Sequence, residues 1–71
     1  MIKKAIFPGT FDPFTIGHHS LVKRSLELVD EIVIAIGQNE AKKSYFTLQE
    51  RIDMIQSFYS EDTRIFVEAY D

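Results

Sequence analysis

The sequence contains no cysteine, no long apolar run and no stretch dominated by positive charge. Without cysteine it can have no disulfide framework, no thiol nucleophile and no cysteine-based zinc site. The apolar stretch after Lys3 and Lys4 stops within three residues, at Pro8. Such a stretch is too short for the core of a signal peptide, and no other segment is long enough to span a membrane. These absences predict a cytoplasmic protein without a membrane partner.

The charge balance also narrows the range of partners. Eight lysines and arginines stand against eleven aspartates and glutamates, giving a net charge of −3. Proteins that bind nucleic acids rely on basic patches that neutralise phosphates, so the composition predicts no nucleic-acid partner. A length of 71 residues allows one small domain, and an apolar fraction of 45% is enough for it to fold.

Strand and helix patterns alternate along the chain. Residues 2–7 and 64–69 have strand character, and the run 31–36 is almost continuously β-branched, as in a parallel strand covered on both faces. Apolar residues recur with helical spacing from 18 to 29 and from 48 to 59. The order predicts a βαβαβ unit, which is half of a doubly wound, Rossmann-like parallel sheet with right-handed crossovers.

The predicted sheet is incomplete at one edge. The first strand is apolar on both faces from Ala5 onward, yet the strand order three-two-one leaves it with only one neighbour. An open apolar edge favours association. We therefore expect residues 1–71 to be the N-terminal part of one larger domain whose C-terminal half is absent from this chain.

The turn between the first strand and the first helix, residues 8–18, carries the strongest functional signal. It holds a Pro-Gly pair, Thr10 and a Gly-His pair that leads into the helix. The first amides of a helix lack internal partners and carry partial positive charge, and glycine lets an anion approach the backbone closely. The turn therefore predicts a site for nucleotide phosphates, at the carboxyl end of the first strand.

Each residue of this turn also has a plainer interpretation. A histidine at a helix start is more often solvated or capping, but Gly17 and Thr10 nearby favour a role for His18 as a donor to a phosphoryl oxygen. Thr10 could bond its own turn instead of a phosphate, and we interpret Asp12 as an Asx-turn residue with a structural role. His19 points away from His18 along the helix and is expected at the surface.

Two lysines follow the second strand. Lys42 and Lys43 lie in a polar loop at a strand's carboxyl end, where a lysine could reach an anion above the first strand. Most loop lysines are simply solvated, and residue type alone does not choose between the two. The segment from Thr47 to Glu50 has the form of a capping box that opens the second helix.

Two motifs resemble those of a known family. Residues 8–13 (PGTFDP) with 15–18 (TIGH) resemble the phosphate-binding motif of the nucleotidyltransferase superfamily. The Thr-x-Gly-His form, together with residues 42–51 (KKSYFTLQER), resembles the bacterial phosphopantetheine adenylyltransferases. The resemblance spans essentially the whole chain, although the chain has about half the length of a typical member.

The resemblance implies adenylyl transfer from ATP to 4′-phosphopantetheine, giving dephospho-coenzyme A and pyrophosphate. By position, His18 would bind ATP and stabilise the transition state. Thr10 would contact ATP and the pantetheine phosphate, helped by the Phe11 backbone, and Lys42 would bind the substrate phosphate. Mg²⁺ would travel with the ATP phosphates, without a dedicated protein site. The resemblance also implies assembly as a homohexamer.

Two departures from the family affect these expectations. Ile16 stands where many relatives carry a polar residue. The second half of the family's domain, which binds ribose, base and pyrophosphate, is also missing. We therefore expect weak nucleotide binding and little or no turnover from residues 1–71 alone. Two alternatives stay open: another transferase of the superfamily, such as a cytidylyltransferase or a nicotinate-mononucleotide adenylyltransferase, or a truncated, non-catalytic phosphate-binding module.

Overall fold

The computed structural model describes residues 1–38 and 43–70. It contains three strands and two helices in alternating order, which confirms the predicted βαβαβ unit. The elements are β1 (Lys4–Gly9), α1 (Ile16–Ser25), β2 (Glu31–Gly37), α2 (Leu48–Phe58) and β3 (Ile65–Tyr70). Neither helix is long and apolar enough to cross a lipid bilayer, and the same holds throughout the described ranges.

The three strands form one parallel sheet in the order β1-β2-β3, as predicted. In the register, Ala5 pairs with Ile32 and Ile32 with Ile65. The first strand begins and ends two residues later than the sequence pattern suggested, because pairing with β2 extends through Pro8 and Gly9. An edge strand can accept a proline whose missing N–H would face away from its neighbour.

Both helices pack on one face of this sheet. The buried core joins Val22 of α1 and Ile55 of α2 to the central strand, where Ile32, Ile34 and Ile36 are at most 1% exposed. The partly buried strand residues around this core lie at the matching register positions of β1 and β3. Burying large aliphatic side chains completely contributes about 1.5–3 kcal/mol each, so this face supplies most of the stabilisation.

The opposite face of the sheet corrects one expectation. The run 31–36 was predicted to be covered on both faces, but burial alternates along β2, and Val33 and Ala35 are only half-buried. On the same face Ile6 is 70% exposed and Phe66 44% exposed. The apolar run of β2 therefore has helices against only one side within the described residues.

The helix starts follow local capping rules. Helix α2 begins with the predicted box: the Thr47 hydroxyl accepts from the Glu50 amide at 3.1 Å, and the Glu50 carboxylate accepts from the Thr47 amide at 2.9 Å. Helix α1 begins at Ile16, two residues before the predicted start at His18, because Thr15 is its N-cap. The helix thus opens inside the Thr-x-Gly-His motif.

Candidate phosphate-binding site

The candidate site lies in the turn that joins β1 to α1 at the carboxyl end of the sheet. Residues 10–15 leave β1 and deliver the chain to the first turn of α1. In doubly wound folds this is the edge at which ligands bind. The topology therefore places Thr10, Phe11 and His18 in one region, as the sequence predicted.

A second capping box organises this turn. The Thr15 hydroxyl accepts a hydrogen bond from the His18 amide at 3.3 Å, and Nδ1 of the His18 ring accepts one from the Thr15 amide at 2.9 Å. The Thr15 hydroxyl also lies 3.1 Å from the same ring nitrogen. His18 therefore occupies the position that Glu or Gln takes in an ordinary capping box.

These hydrogen bonds determine the tautomer of the His18 ring. Because Nδ1 accepts from a backbone N–H, it carries no proton, and the proton of the neutral ring must sit on Nε2. Nε2 has no hydrogen-bond partner within residues 1–38 and 43–70. Capping and ligand binding are thus compatible: one ring nitrogen caps the helix, and the other presents an N–H donor.

Three phenylalanine rings fix the imidazole from the sides. The ring centroids of Phe7, Phe11 and Phe14 lie 6.4, 5.0 and 5.3 Å from that of His18, and Phe14 stacks on it. Phe11 and Phe14 are buried, while His18 is half-buried. The aromatic contacts limit rotation of the ring, so that its free nitrogen keeps a defined direction.

Phe11 combines a strained backbone with a buried ring. Its φ is 49°, in the left-handed region that costs an L-residue about 1–2 kcal/mol. Its ring is 3% exposed and covers Gly9, where an added Cβ would lie 2.9 Å from a ring atom. The ring therefore belongs to the core and is not available to stack on a nucleotide base. Only the backbone of Phe11 can contribute to a phosphate site.

Several donors remain available around this turn. The Thr10 side chain is exposed, and its hydroxyl and the amides of Thr10 and Phe11 donate to no group in the described part of the chain. The amides of Ile16 and Gly17 occupy the first two positions of α1, where no intrahelical acceptor exists. No acidic residue lies in this first turn. The arrangement can surround an anion with N–H and O–H donors.

Two residues that sequence reasoning did not place near this function connect the turn to α2. The Asp12 carboxylate accepts from the amides of Tyr45 and Phe46 at 2.7 and 2.8 Å. The guanidinium of Arg51, 6% exposed, donates to the Thr10 carbonyl at 3.0 Å. The structural role predicted for Asp12 is confirmed, but through long-range contacts instead of a local Asx-turn. No local sequence signal reports such contacts.

The polar loop that carries Lys42 and Lys43, here called the lysine loop, lies only partly within the described residues. The predicted phosphate ligand Lys42 lies outside the described residues. Lys43 is exposed. Two residues later begins the segment whose amides bind Asp12, so the lysine loop returns to the phosphate turn directly after Lys43.

Two concavities in the described part of the chain lie away from this turn. Their volumes are about 800 and 670 Å³, and both are lined by the end of α2 and the turn before β3, not by Thr10 or His18. Phosphates bind to surface-exposed amides at a loop, which need no deep cavity. The candidate site is therefore defined by its hydrogen-bond donors. In a doubly wound sheet, the second wall of such a site comes from the segment across the switch point.

The larger concavity contains the contact that separates the two neighbouring histidines. Nδ1 of His19 lies 2.9 Å from the Tyr59 hydroxyl, and its ring packs beside Phe58. His19 is thus half-buried and joins α1 to the end of α2, although the sequence placed it at the surface. Burial and then the nearby charge of Asp62 raise the pKa of Tyr59 to about 12. Hydrogen bonds from Arg64 lower the pKa of Asp62.

Comparison with known sequences finds close relatives. The chain is 57% identical over 70 residues to a phosphopantetheine adenylyltransferase of Bacteroides fragilis, covering 99% of this chain and 47% of that protein. It is 56% identical over 70 residues to the protein of the same name from Phocaeicola vulgatus, covering 99% of this chain and 46% of that protein. The chain therefore spans about half the length of the curated relatives it matches.

Solved structures share the fold at low sequence identity. The NadR protein, in complex with NAD and AMP-PNP, superposes with a TM-score of 0.85 at 18% identity, over 97% of this chain and 20% of that one. A bifunctional NMN adenylyltransferase/ADP ribose pyrophosphatase from Francisella tularensis, complexed with AMP and a manganese ion, gives 0.79 at 24%, over 97% and 22%. Both confirm the Rossmann-like half sheet.

A family match covers nearly the whole chain and includes both helices and the strands β2 and β3 in full. It begins in β1 and contains both the phosphate turn and the lysine loop, running over residues 6–71. The chain belongs to the cytidylyltransferase-like family.

Proposed function

We propose that this chain forms the nucleotide-phosphate half of an enzyme that transfers the adenylyl group of ATP to 4′-phosphopantetheine. The observation that carries the proposal is the Thr15–His18 capping box, which leaves an Nε2–H donor on the His18 ring near backbone amides that have no acceptor within the described residues. The names and identities of the Bacteroides fragilis and Phocaeicola vulgatus relatives supply the choice of substrates.

In the proposed reaction an oxygen of the acceptor phosphate attacks the α-phosphorus of ATP. The new P–O bond forms as the bond from the α-phosphorus to the bridging oxygen breaks, and pyrophosphate leaves with that oxygen. No covalent intermediate on the protein is needed. Catalysis then consists of positioning and of stabilising charge on the phosphoryl oxygens.

The residues of the turn have distinct roles in this scheme. His18 donates from Nε2 to an oxygen on which negative charge increases in the transition state. Thr10 and the Phe11 amide bind phosphate oxygens of ATP and of the acceptor. Lys42 supplies a mobile positive charge for the acceptor phosphate, as the family resemblance implies.

Mg²⁺ enters this proposal as a companion of the ATP phosphates. Magnesium in such sites is usually held by substrate phosphates and water with one or two carboxylates. Within residues 1–38 and 43–70 no three potential ligands come together, and the Asp12 carboxylate already accepts two amides. As the resemblance implies, we propose that the ATP phosphates carry the metal and that this chain provides no dedicated site for it. When bound, it would neutralise charge on the triphosphate.

Three further proposals rest on the resemblance. Residues 1–71 are the N-terminal half of a single domain whose remaining half completes the nucleotide site. The complete protein is a homohexamer, and it is cytoplasmic. Gel filtration with light scattering on a full-length protein tests the hexamer directly, and a monomer would contradict it.

The first experiment measures binding by the chain itself. Isothermal titration with ATP and Mg²⁺ should give weak binding that His18→Ala abolishes. Glu50→Ala, at the matching position of α2, is the control and should leave the binding unchanged. Equal binding by the parent and the His18 variant would instead support the non-catalytic module.

The second experiment measures turnover in a full-length background. Because the Bacteroides fragilis relative is 57% identical over 70 residues, residues 1–71 can replace the matching segment of that protein. This hybrid should make dephospho-coenzyme A and pyrophosphate, and residues 1–71 alone should make little or none. A hybrid that prefers CTP, or nicotinate mononucleotide as acceptor, would favour the alternative transferases, which the family match leaves open.

A further inference from the structure

We infer that Asp12 and Arg51 are positioning residues that together hold the phosphate turn in its binding conformation. The inference rests on the proposed function and extends it to two side chains that need not touch a substrate. Their contacts tie the residues before and after Phe11 to the start of α2.

The first tie is the Asp12 carboxylate. It accepts from the Tyr45 amide at 2.7 Å and the Phe46 amide at 2.8 Å, with one oxygen for each amide. These distances are short, as expected for hydrogen bonds to a charged acceptor. The two contacts fix the residue after Phe11 to the segment that joins the lysine loop to α2.

The second tie is the Arg51 guanidinium. It donates from Nη1 to the Thr10 carbonyl at 3.0 Å and from Nε to the Thr47 carbonyl at 3.3 Å. Arg51 is buried and charged, and no carboxylate within the described residues forms an ion pair with it. Burying a charge without a partner of opposite charge costs free energy, so a residue of this kind is retained where its hydrogen bonds matter. Here those contacts fix the residue before Phe11.

The strained residue therefore lies between two fixed neighbours. Phe11 adopts a φ of 49°, which an unconstrained phenylalanine rarely does. Strain of this kind persists only where the surroundings determine the backbone from several directions. With the Thr10 carbonyl held by Arg51, the peptide group between Thr10 and Phe11 has a fixed orientation, and so does its N–H. That N–H is the donor assigned to phosphate.

The matched comparison uses Asp62 and Arg64, which bond to each other. The Asp62 carboxylate accepts from the Arg64 amide at 2.9 Å and from its guanidinium at 3.0 Å, away from the phosphate turn. Asp12→Asn and Asp62→Asn make the same chemical change. In the Asp12→Asn protein the new side-chain amide nitrogen would face a backbone N–H, so one of the two hydrogen bonds of the first tie would be lost.

The test measures kcat, KM for ATP and thermal unfolding in the hybrid. Asp12→Asn should raise KM for ATP about tenfold, the usual effect of one lost charge-assisted hydrogen bond, and the protein should remain folded at the assay temperature. Arg51→Met should do the same, and Arg51→Lys should recover part of the loss because it keeps one charged donor. Asp62→Asn and Arg64→Met should leave both constants unchanged.

Two results would overturn the inference. One is parental kinetics in folded Asp12→Asn and Arg51→Lys proteins, and the other is an equal loss in Asp62→Asn. A parent hybrid without transferase activity would instead reject the proposed function. In that case the Phe11 amide signal of the ¹⁵N-labelled hybrid, titrated with inorganic pyrophosphate, decides: it should shift in the parent and in Asp62→Asn but not in Asp12→Asn. No difference between these proteins would reject the positioning role.

Discussion

At the start of α1 the Thr15 hydroxyl and the His18 ring form a reciprocal pair of hydrogen bonds, and at the start of α2 Thr47 and Glu50 form the matching pair. The geometry is the same, but the charge is not. Glu50 places a negative charge in the first turn of α2, whereas the first turn of α1 contains no acidic residue. A carboxylate at a helix start already satisfies the positive end of the dipole.

The difference supports the proposal that the start of α1 receives a phosphate and the start of α2 does not. At α2 the anion is built into the chain, so a second anion would be repelled. At α1 a neutral imidazole caps the backbone and leaves the positive end of the dipole uncompensated, with an added N–H donor on Nε2. The residue type at the third helical position, His18 in α1 and Glu50 in α2, therefore separates a neutral helix start from a negatively charged one.

The largest expected effect comes from making the two helix starts alike. His18→Glu should keep the capping box and the fold but place a negative charge at the proposed phosphate site. In the hybrid we expect kcat to fall by about 10²–10³, the usual cost of removing one transition-state donor, and ATP binding to weaken as well. Steady-state kinetics and thermal unfolding measure the two consequences separately.

The reverse change is the control. Glu50→His at α2 should leave turnover at the parental level, since this helix start has no role in binding. Persistent turnover in the His18→Glu protein would show that the charge difference between the two starts does not matter.

Removing the capping hydroxyl should separate stability from activity. Thr15→Val and Thr47→Val each delete one N-cap, and each should lower the free energy of unfolding by about 1 kcal/mol in denaturant titrations. Only Thr15→Val should also reduce kcat/KM, by about tenfold, because its hydroxyl and cap geometry hold the His18 ring.

Ring-nitrogen NMR gives an independent readout of this prediction. In the parent the His18 Nδ1 should be unprotonated and Nε2 protonated. Thr15→Val keeps the backbone donor but removes the hydroxyl that holds the ring against it, so the share of the other tautomer should rise. Thr15→Ser should restore the parental spectrum. Identical spectra in all three proteins would remove the capping box from the explanation.

A smaller effect is expected where the aromatic cluster meets β1. An alanine Cβ at Gly9 would lie 2.9 Å from the Phe11 ring, whereas at Gly37 it would meet the flexible end of Tyr70 at 3.2 Å. Gly9→Ala should lower the free energy of unfolding by about 1 kcal/mol or somewhat more, as overpacking does. It should also displace the phosphate turn before α1, whereas Gly37→Ala should not. Denaturant unfolding of the two variants tests this, and equal losses would contradict it.

The smallest effect concerns Tyr59 at the C-terminal end of α2, and it leaves both capping boxes intact. The pKa of Tyr59 is raised from 10.0 to about 12, so its contribution to stability is complete below pH 10 and is lost as the pH rises towards 12. Because Tyr59 is only half-buried, screening by solvent should limit the loss to about 1 kcal/mol.

The measurement is the free energy of unfolding at pH values from below the usual tyrosine pKa of 10.0 up to about 12. The parent should lose stability across this range, and Tyr59→Phe should lose less, because it has no phenolic proton. Parallel curves for the two proteins would contradict the assignment to Tyr59.

The sequence predicted the βαβαβ order and the α2 capping box because both depend on local patterns. Alternating hydrophobic periods specify the elements, and Thr47 with Glu50 three residues later matches the known box signature. The α1 start was placed two residues late because that signature contains Glu or Gln, and His18 takes their place. Local patterning thus locates a helix start only when the usual residues form it.

The remaining features depend on contacts that distant segments create. The start of β1 is determined by its register with β2, not by its own apolar residues. The ties from Asp12 and Arg51 to their partners span 33 to 41 positions of sequence. Only one face of the sheet is covered because both helices lie on that side. None of these is encoded within a window of neighbouring residues.

The shared use of the His18 ring has a consequence for selection experiments on this chain. In a library with every amino acid at position 18, protein abundance and enzymatic output should divide the variants differently. Glutamine and glutamate should accumulate normally yet be inactive, because they replace the cap without the imidazole donor. Bulky aliphatic residues should fail in both screens. Comparing abundance with activity at position 18 would then separate the residues that folding tolerates from those that catalysis requires.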